Sequence, residues 1–125
     1  MTLSAPYLFE YAYRRSLGPV LGRFLAGLRE GRIEGVRARD GRVLVPPAES
    51  DEHGHATGEW VAVADQGVVV THAPPFWALI RLDGAHTALL HKVEGPVTTG
   101  TRVRARWSAE RTGTIHDIEC FEPLS

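Results

Sequence analysis

Cysteine is almost missing from this sequence: Cys120 is the one thiol in 125 residues. That excludes an internal disulfide framework and any metal site built from several thiolates, and it fits a reducing compartment. Excess charge of one sign is missing too. With 14 Lys+Arg against 15 Asp+Glu the formal net charge is -1, so the counterion release that drives generic nucleic-acid binding has little to act on. No window approaches the ~18 consecutive apolar residues of a membrane span, and the opening MTLSAPYLFEYAYRR has no cationic stretch leading into an apolar one. The expectation is a soluble, cytoplasmic chain with neither signal peptide nor membrane segment. Dinucleotide and phosphate-loop glycine motifs, a G-x-S-x-G elbow and a defensible carboxylate pair are likewise lacking.

What is present is 43% hydrophobic residues, enough for one ordinary domain, or a small domain with an appendage, to bury a core. Tyr7, Phe9, Tyr11 and Tyr13 recur with a period of two, which predicts an extended aromatic arm lying on its own domain or on a partner. Ser16 is placed to cap a helix whose first turn holds Pro19 and whose apolar stripe is Leu17, Val20, Leu21, Phe24, Leu25 and Leu28. Gly18, Gly22 and Gly27 weaken that helix, so packing must hold it, either within the chain or against another protein's backbone. Gly31 stops it. Ile33 to Ala38 and Arg42 to Val45 flank Asp40-Gly41, a hairpin turn signal, and Pro46-Pro47 ends the second strand before a polar stretch to Gly58.

From Glu59 the texture becomes short strands: Trp60 to Val63, Val68 to His72, Trp77 to Leu82, Ala88 to Val93, Arg102 to Trp107 and Thr114 to Phe121, with turns that include Asp65-Gln66-Gly67. Five or six such strands in so short a span predict an OB-type barrel rather than a two-sheet sandwich. The fold class read from the sequence is therefore mainly β: arm and amphipathic helix, hairpin, then a five- to six-stranded barrel. The division falls into 1–58 and 59–125.

Candidate chemistry is thin. Asp51, Glu52, His53 and His55 offer oxygen and imidazole ligands without a recognised set, so a solvated loop and a metal-dependent hydrolase stand as alternatives. His72, His86, His91 and His116 are scattered, and Cys120 between Glu119 and Phe121 reads as a packing residue. Trp60, Phe76, Trp77 and Trp107 are either core or a base-stacking platform. Arg102, Arg104 and Arg106 alternate on one strand face and either meet phosphates, such as those of coenzyme A, or form a solvated face.

Taken together, Leu28-Arg29-Glu30-Gly31-Arg32, Asp40-Gly41-Arg42-Val43, Pro46-Pro47, Gly58-Glu59-Trp60-Val61 and Gly100-Thr101-Arg102-Val103 resemble the acyl-CoA-associated zinc-ribbon and OB-fold proteins, number thirty-five among the domains of unknown function. The resemblance runs in order along nearly the whole chain. In that family a helix leads into a ribbon with two C-x-x-C pairs. The matching positions here are Arg37 and Asp40, then Asp51 and Gly54, so the resemblance implies a zinc-ribbon-like hairpin without its metal, and no cofactor.

The resemblance implies partnership rather than catalysis. Family members look like non-catalytic companions of thiolase-fold aldolases and thiolases acting on acyl-CoA thioesters in steroid side-chain and lipid degradation, and some are joined to enoyl-CoA hydratases. Tyr11, Tyr13 and Gly18-Pro19 resemble the zinc-less companion of a steroid side-chain aldolase. Tyr7, Phe9, Tyr11, Tyr13 and the helix stripe Leu17, Val20, Leu21, Phe24, Leu25 and Leu28 are the expected partner surface. The rival reading is a stand-alone OB-fold nucleic-acid binder.

Overall fold

The computed structural model describes residues 19–50 and 54–124. Helix α1, Pro19–Arg29, carries its stripe inward, with Leu21, Phe24 and Leu28 buried. It ends as Gly31 enters the left-handed region at φ 76°. There Arg32 N–H donates to Gly27 O at 2.9 Å and Gly31 N–H to Leu28 O at 3.0 Å, the paired bonds of a Schellman stop. Ser16, Leu17 and the aromatic arm lie outside the described residues.

Strands β1, Ile33–Arg37, and β2, Val43–Leu44, form the expected hairpin around Gly41, whose φ is 94°. Gly35 of β1 has a separate reason: a Cβ there would lie 2.6 Å from Leu44 O. Strand β3, Trp60–Val63, joins the free edge of β1, giving a three-stranded antiparallel sheet in the order β2-β1-β3. The sequence reading counts β3 with the barrel. Its partner is β1, with Ile33 opposite Val63 and Val36 opposite Trp60, a long-range pairing that leaves no trace in local periodicity.

The remaining strands are β4 (Gln66–Ala73), β5 (Trp77–Leu82), β6 (Leu89–Lys92), β7 (Arg102–Trp107) and β8 (Ile118–Pro123). They form one antiparallel sheet, ordered β6-β5-β4-β7-β8. Its two outer strands come together at a parallel bridge between Val93 and Phe121, where Glu94 N–H donates to Phe121 O at 2.9 Å. The sheet thus curls as a partly open OB-type barrel does. Alternate residues turn inward, so Ala78, Ile80 and Leu82 meet Leu89, Val103, Ile118 and Phe121 in a core that also takes Phe24 and Leu28 of α1 and Ile33 of β1.

Two local expectations change. The turn expected at Asp65-Gln66-Gly67 falls instead at Ala64 and Asp65, with Gln66 and Gly67 already in β4, where Gly67 serves close approach: a Cβ there would sit 2.3 Å from Arg81 O of β5. The strand expected from Thr114 begins instead with a 3-10 turn, Ile115–Asp117. Buried Asp117 explains it, accepting the N–H groups of Thr112 at 2.8 Å, Gly113 at 2.7 Å and Thr114 at 3.3 Å.

Candidate functional site

The groups with nucleophilic or acid–base chemistry come first. Cys120 is fully buried, and burial, then the neighbouring Glu94, pushes its thiol up to about 12. It stays protonated at neutral pH and is a packing residue. His91, 2% exposed, stands edge-on to Phe121 with ring centroids 5.2 Å apart. Its Nδ1 lies 3.2 Å from Lys92 O and its Nε2 3.4 Å from Ile115 O. Burial lowers its pKa to about 4 despite those carbonyls, so the imidazole is neutral and sealed from substrate.

The resemblance points to the ribbon for a metal. Asp51 and His53 lie outside the described residues, Gly54 is exposed with φ 79°, and His55 is exposed. Among the described residues no three His, Cys, Asp or Glu side chains gather as ligands. At the first ligand pair, Arg37 donates to Glu59 Oε1 at 3.1 Å and to Gly41 O at 3.0 Å. Asp40 accepts from Arg42 N–H at 3.1 Å and from its Nε at 2.7 Å, bonds that hold its carboxyl below the usual range. A guanidinium cannot replace a thiolate, so these residues do not fit the family's Zn²⁺. The hairpin is fixed by other means. Glu34 takes ion pairs from Arg23 at 3.2 Å and Arg32 at 3.9 Å, and Arg23 lies over the Trp60 ring at 4.4 Å. Beyond β2, Val43 N–H donates to His86 Nδ1 at 2.9 Å, and Val45 N–H to Thr87 Oγ1 at 2.8 Å. These side chains close the β2 edge and tie the ribbon to the barrel.

The three arginines of β7 are occupied by this chain's own carboxylates. Arg102 makes a two-pronged bond to Asp83 at 2.8 and 2.6 Å, and Arg104 reaches Glu122 at 3.3 Å. Arg106 binds Glu119 at 2.9 Å, Glu122 at 3.3 Å and Glu94. Asp83 is held below the usual carboxylate range by Arg102, and Arg106 is raised above its ordinary value by Glu119 first. Three cations against four carboxylates leave this face with no surplus positive charge for a phosphate. It is an ion-paired solvated face.

The helix stripe is likewise answered within the chain. Leu21, Phe24 and Leu28 pack in the core, and Val20 and Leu25 are half-buried against it. Of the expected partner surface, only these last two keep exposed area among the described residues; Tyr7, Phe9, Tyr11, Tyr13 and Leu17 lie outside them.

A different apolar surface stands on the outer side of β4, β5 and β6. Leu79 pairs with Leu90 across β5 and β6. On the other side of Leu79, β4 skips a register position between Val69 and Thr71, and the extra residue is Val70. Because Val69 faces the core, Val70 points outward by ordinary alternation, and the bulge sets Val70 and Thr71 together opposite Leu79. Val70 is 40% and Leu79 37% exposed, and Leu90 is half-buried. Val68 pairs with Arg81 at one end of this row, and Trp77 with Lys92 at the other, next to Phe76, which is 55% exposed. Sequence reasoning named Phe76 and Trp77 but missed this row. Its signals were the outward alternations Val68, Val70 and Trp77, Leu79, Arg81; which strands pair to join them cannot be read from spacing.

No family model matches the chain, and no curated protein does. Solved structures do match. One is a protein of unknown function from the DUF35 family of Sulfolobus solfataricus, 24% identical, with a TM-score of 0.64 over 78% of this chain and 84% of that one. Another is a chain of the Ltp2-ChsH2(DUF35) aldolase, 19% identical, with a TM-score of 0.59 over 86% of this chain and 97% of that one. The present chain shares the fold of these DUF35 structures.

Proposed function

We propose that this chain, built on the DUF35 fold, is a non-catalytic accessory subunit that binds and stabilises an aldolase. The observation carrying the reading is its likeness to a chain of the Ltp2-ChsH2(DUF35) aldolase, nearly the whole of which it covers. Its chemistry is in keeping. Cys120 is a buried, protonated thiol, His91 is sealed in the core, and the β7 arginines are engaged by carboxylates. In this reading the partner is a thiolase-fold aldolase or thiolase cleaving a side-chain acyl-CoA thioester by a retro-aldol or retro-Claisen step, in cytoplasmic steroid or lipid breakdown. The partner supplies the reacting groups and most of the coenzyme A site. This chain contributes a rigid β scaffold.

The test is co-expression with the aldolase-type protein of the same genome. The reading expects that protein to be less soluble, and less active on acyl-CoA, without this chain. Equal solubility and activity in its absence would refute it.

A further inference from the structure

We propose that the outer face of β4, β5 and β6, centred on Val70, Leu79 and Leu90, docks this chain onto a carboxylate-rimmed apolar patch of its aldolase partner. The inference rests on the accessory-subunit reading and adds the surface and its chemistry. Three features of the face carry it.

The first is the row itself. Val70, Leu79 and Leu90 stand side by side on three hydrogen-bonded strands, continued by Val68 at one end and by Trp77 and Phe76 at the other. Contiguous exposed apolar surface on a rigid sheet is what marks an interaction site, whereas single exposed side chains do not. At the bulge Val70 and Thr71 together oppose Leu79, so the row keeps Val70 as its member on β4 with polar Thr71 beside it.

The second is the charge around it. Arg81 pairs with Val68 at one corner and Lys92 with Trp77 at the other, and both are exposed. Neither has a side-chain hydrogen bond or salt bridge among the described residues. Asp83, the carboxylate that feels Arg81, is already held on both oxygens by Arg102. The contrast with β7 is sharp, since every arginine there is matched within the chain. A complementary surface is therefore apolar at its centre and acidic at its rim.

The third is what the face disfavours. A second copy of this chain would bring the same two cations to the rim, while the carboxylates that feel them, Asp83 and Glu94, are already bound by Arg102 and Arg106, and like charges at an interface act against assembly. Single-stranded nucleic acid needs aromatic faces for stacking and a basic track. Here the centre is aliphatic, and the arginines of neighbouring β7 are engaged by carboxylates, among them Glu119 and Glu122 of β8. A protein with clustered carboxylates fits better than either.

The experiment uses the full chain and the co-expressed aldolase-type protein, with binding measured for the wild type, Leu79→Glu, the double variant Arg81→Glu with Lys92→Glu, and Glu110→Ala as a distant control. All positions are exposed, and circular dichroism and melting confirm folding of each. Leu79→Glu is expected to weaken the complex by roughly 30-fold or more, the scale of a central interface residue. The charge reversal is expected to slow association by about 10-fold and invert its salt dependence, and Glu110→Ala to leave binding unchanged. A wild-type complex that Leu79→Glu and the charge reversal leave intact overturns this inference and spares the accessory reading. No complex with the wild type overturns both. A fluorescent single-stranded oligonucleotide bound by the wild type and released by Leu79→Glu assigns the face to nucleic acid and overturns the inference as well.

Discussion

Lowering the pH from 7 to 5 should destabilise this protein through His91. In the unfolded chain the imidazole titrates near 6.5, and in the core it titrates at about 4. The folded value is depressed, so the folded state is at full stability above 6.5, where both states are neutral, and stability falls as pH drops through 6.5 toward 4 while only the unfolded chain takes up a proton. Burial among Phe121, Ile115 and Lys92 is the cause, and because the ring is 2% exposed, solvent screens little of the effect. The two titrations leave His91 costing about 2 kcal/mol at pH 5, and about 3 kcal/mol once the pH is below 4. The assay is urea unfolding of wild type and His91→Asn at pH 7 and pH 5. Asparagine lowers the absolute stability at both pH values but cannot titrate, so the wild type should lose about 2 kcal/mol more than the variant between them. Every other group is common to the two proteins and cancels in the difference. Equal losses in the two proteins would refute the account of a neutral, sealed imidazole.

Two glycines should respond in opposite directions to alanine. Gly67→Ala places a Cβ against Arg81 O and Leu82 Cα, both backbone atoms of β5, at 2.3 and 2.8 Å. It should cost about 2 kcal/mol by forcing the strands apart. Gly22→Ala meets nothing within 4 Å on the exposed side of α1 and should stabilise by about 0.5–1 kcal/mol, both values read from denaturant midpoints. Elemental analysis of the purified chain should find far less than one zinc per molecule, because Arg37 and Asp40 are held in ion pairs where the resembling family has thiolates. Stoichiometric zinc that survives chelation would contradict that description of the ribbon.

Much of the fold was legible because its local signals agree with its tertiary structure. The helix stripe ending at Gly31, the hairpin at Asp40-Gly41 and the strands at Trp77–Leu82 and Arg102–Trp107 stand where period and turn chemistry place them. What was not legible depends on distant partners. The union of β3 with β1 is a pairing choice, and Asp117 shapes its turn through three N–H groups whose geometry no spacing reveals. The same limit applied to the candidate surface. An apolar stripe such as Leu21, Phe24 and Leu28 looks alike in sequence whether it meets its own core or another protein, and here it meets the core. Val70, Leu79 and Leu90 come from three separate strands and form a row only once those strands pair.

The central claim, that this chain is the companion of an aldolase, is tested most directly by the mass of the species formed when the full chain and the aldolase-type protein of the same genome are purified together. Light scattering coupled to size exclusion should give one hetero-oligomer containing both chains, with acyl-CoA cleavage following that peak. Two separate peaks, with cleavage confined to the aldolase alone, would contradict it.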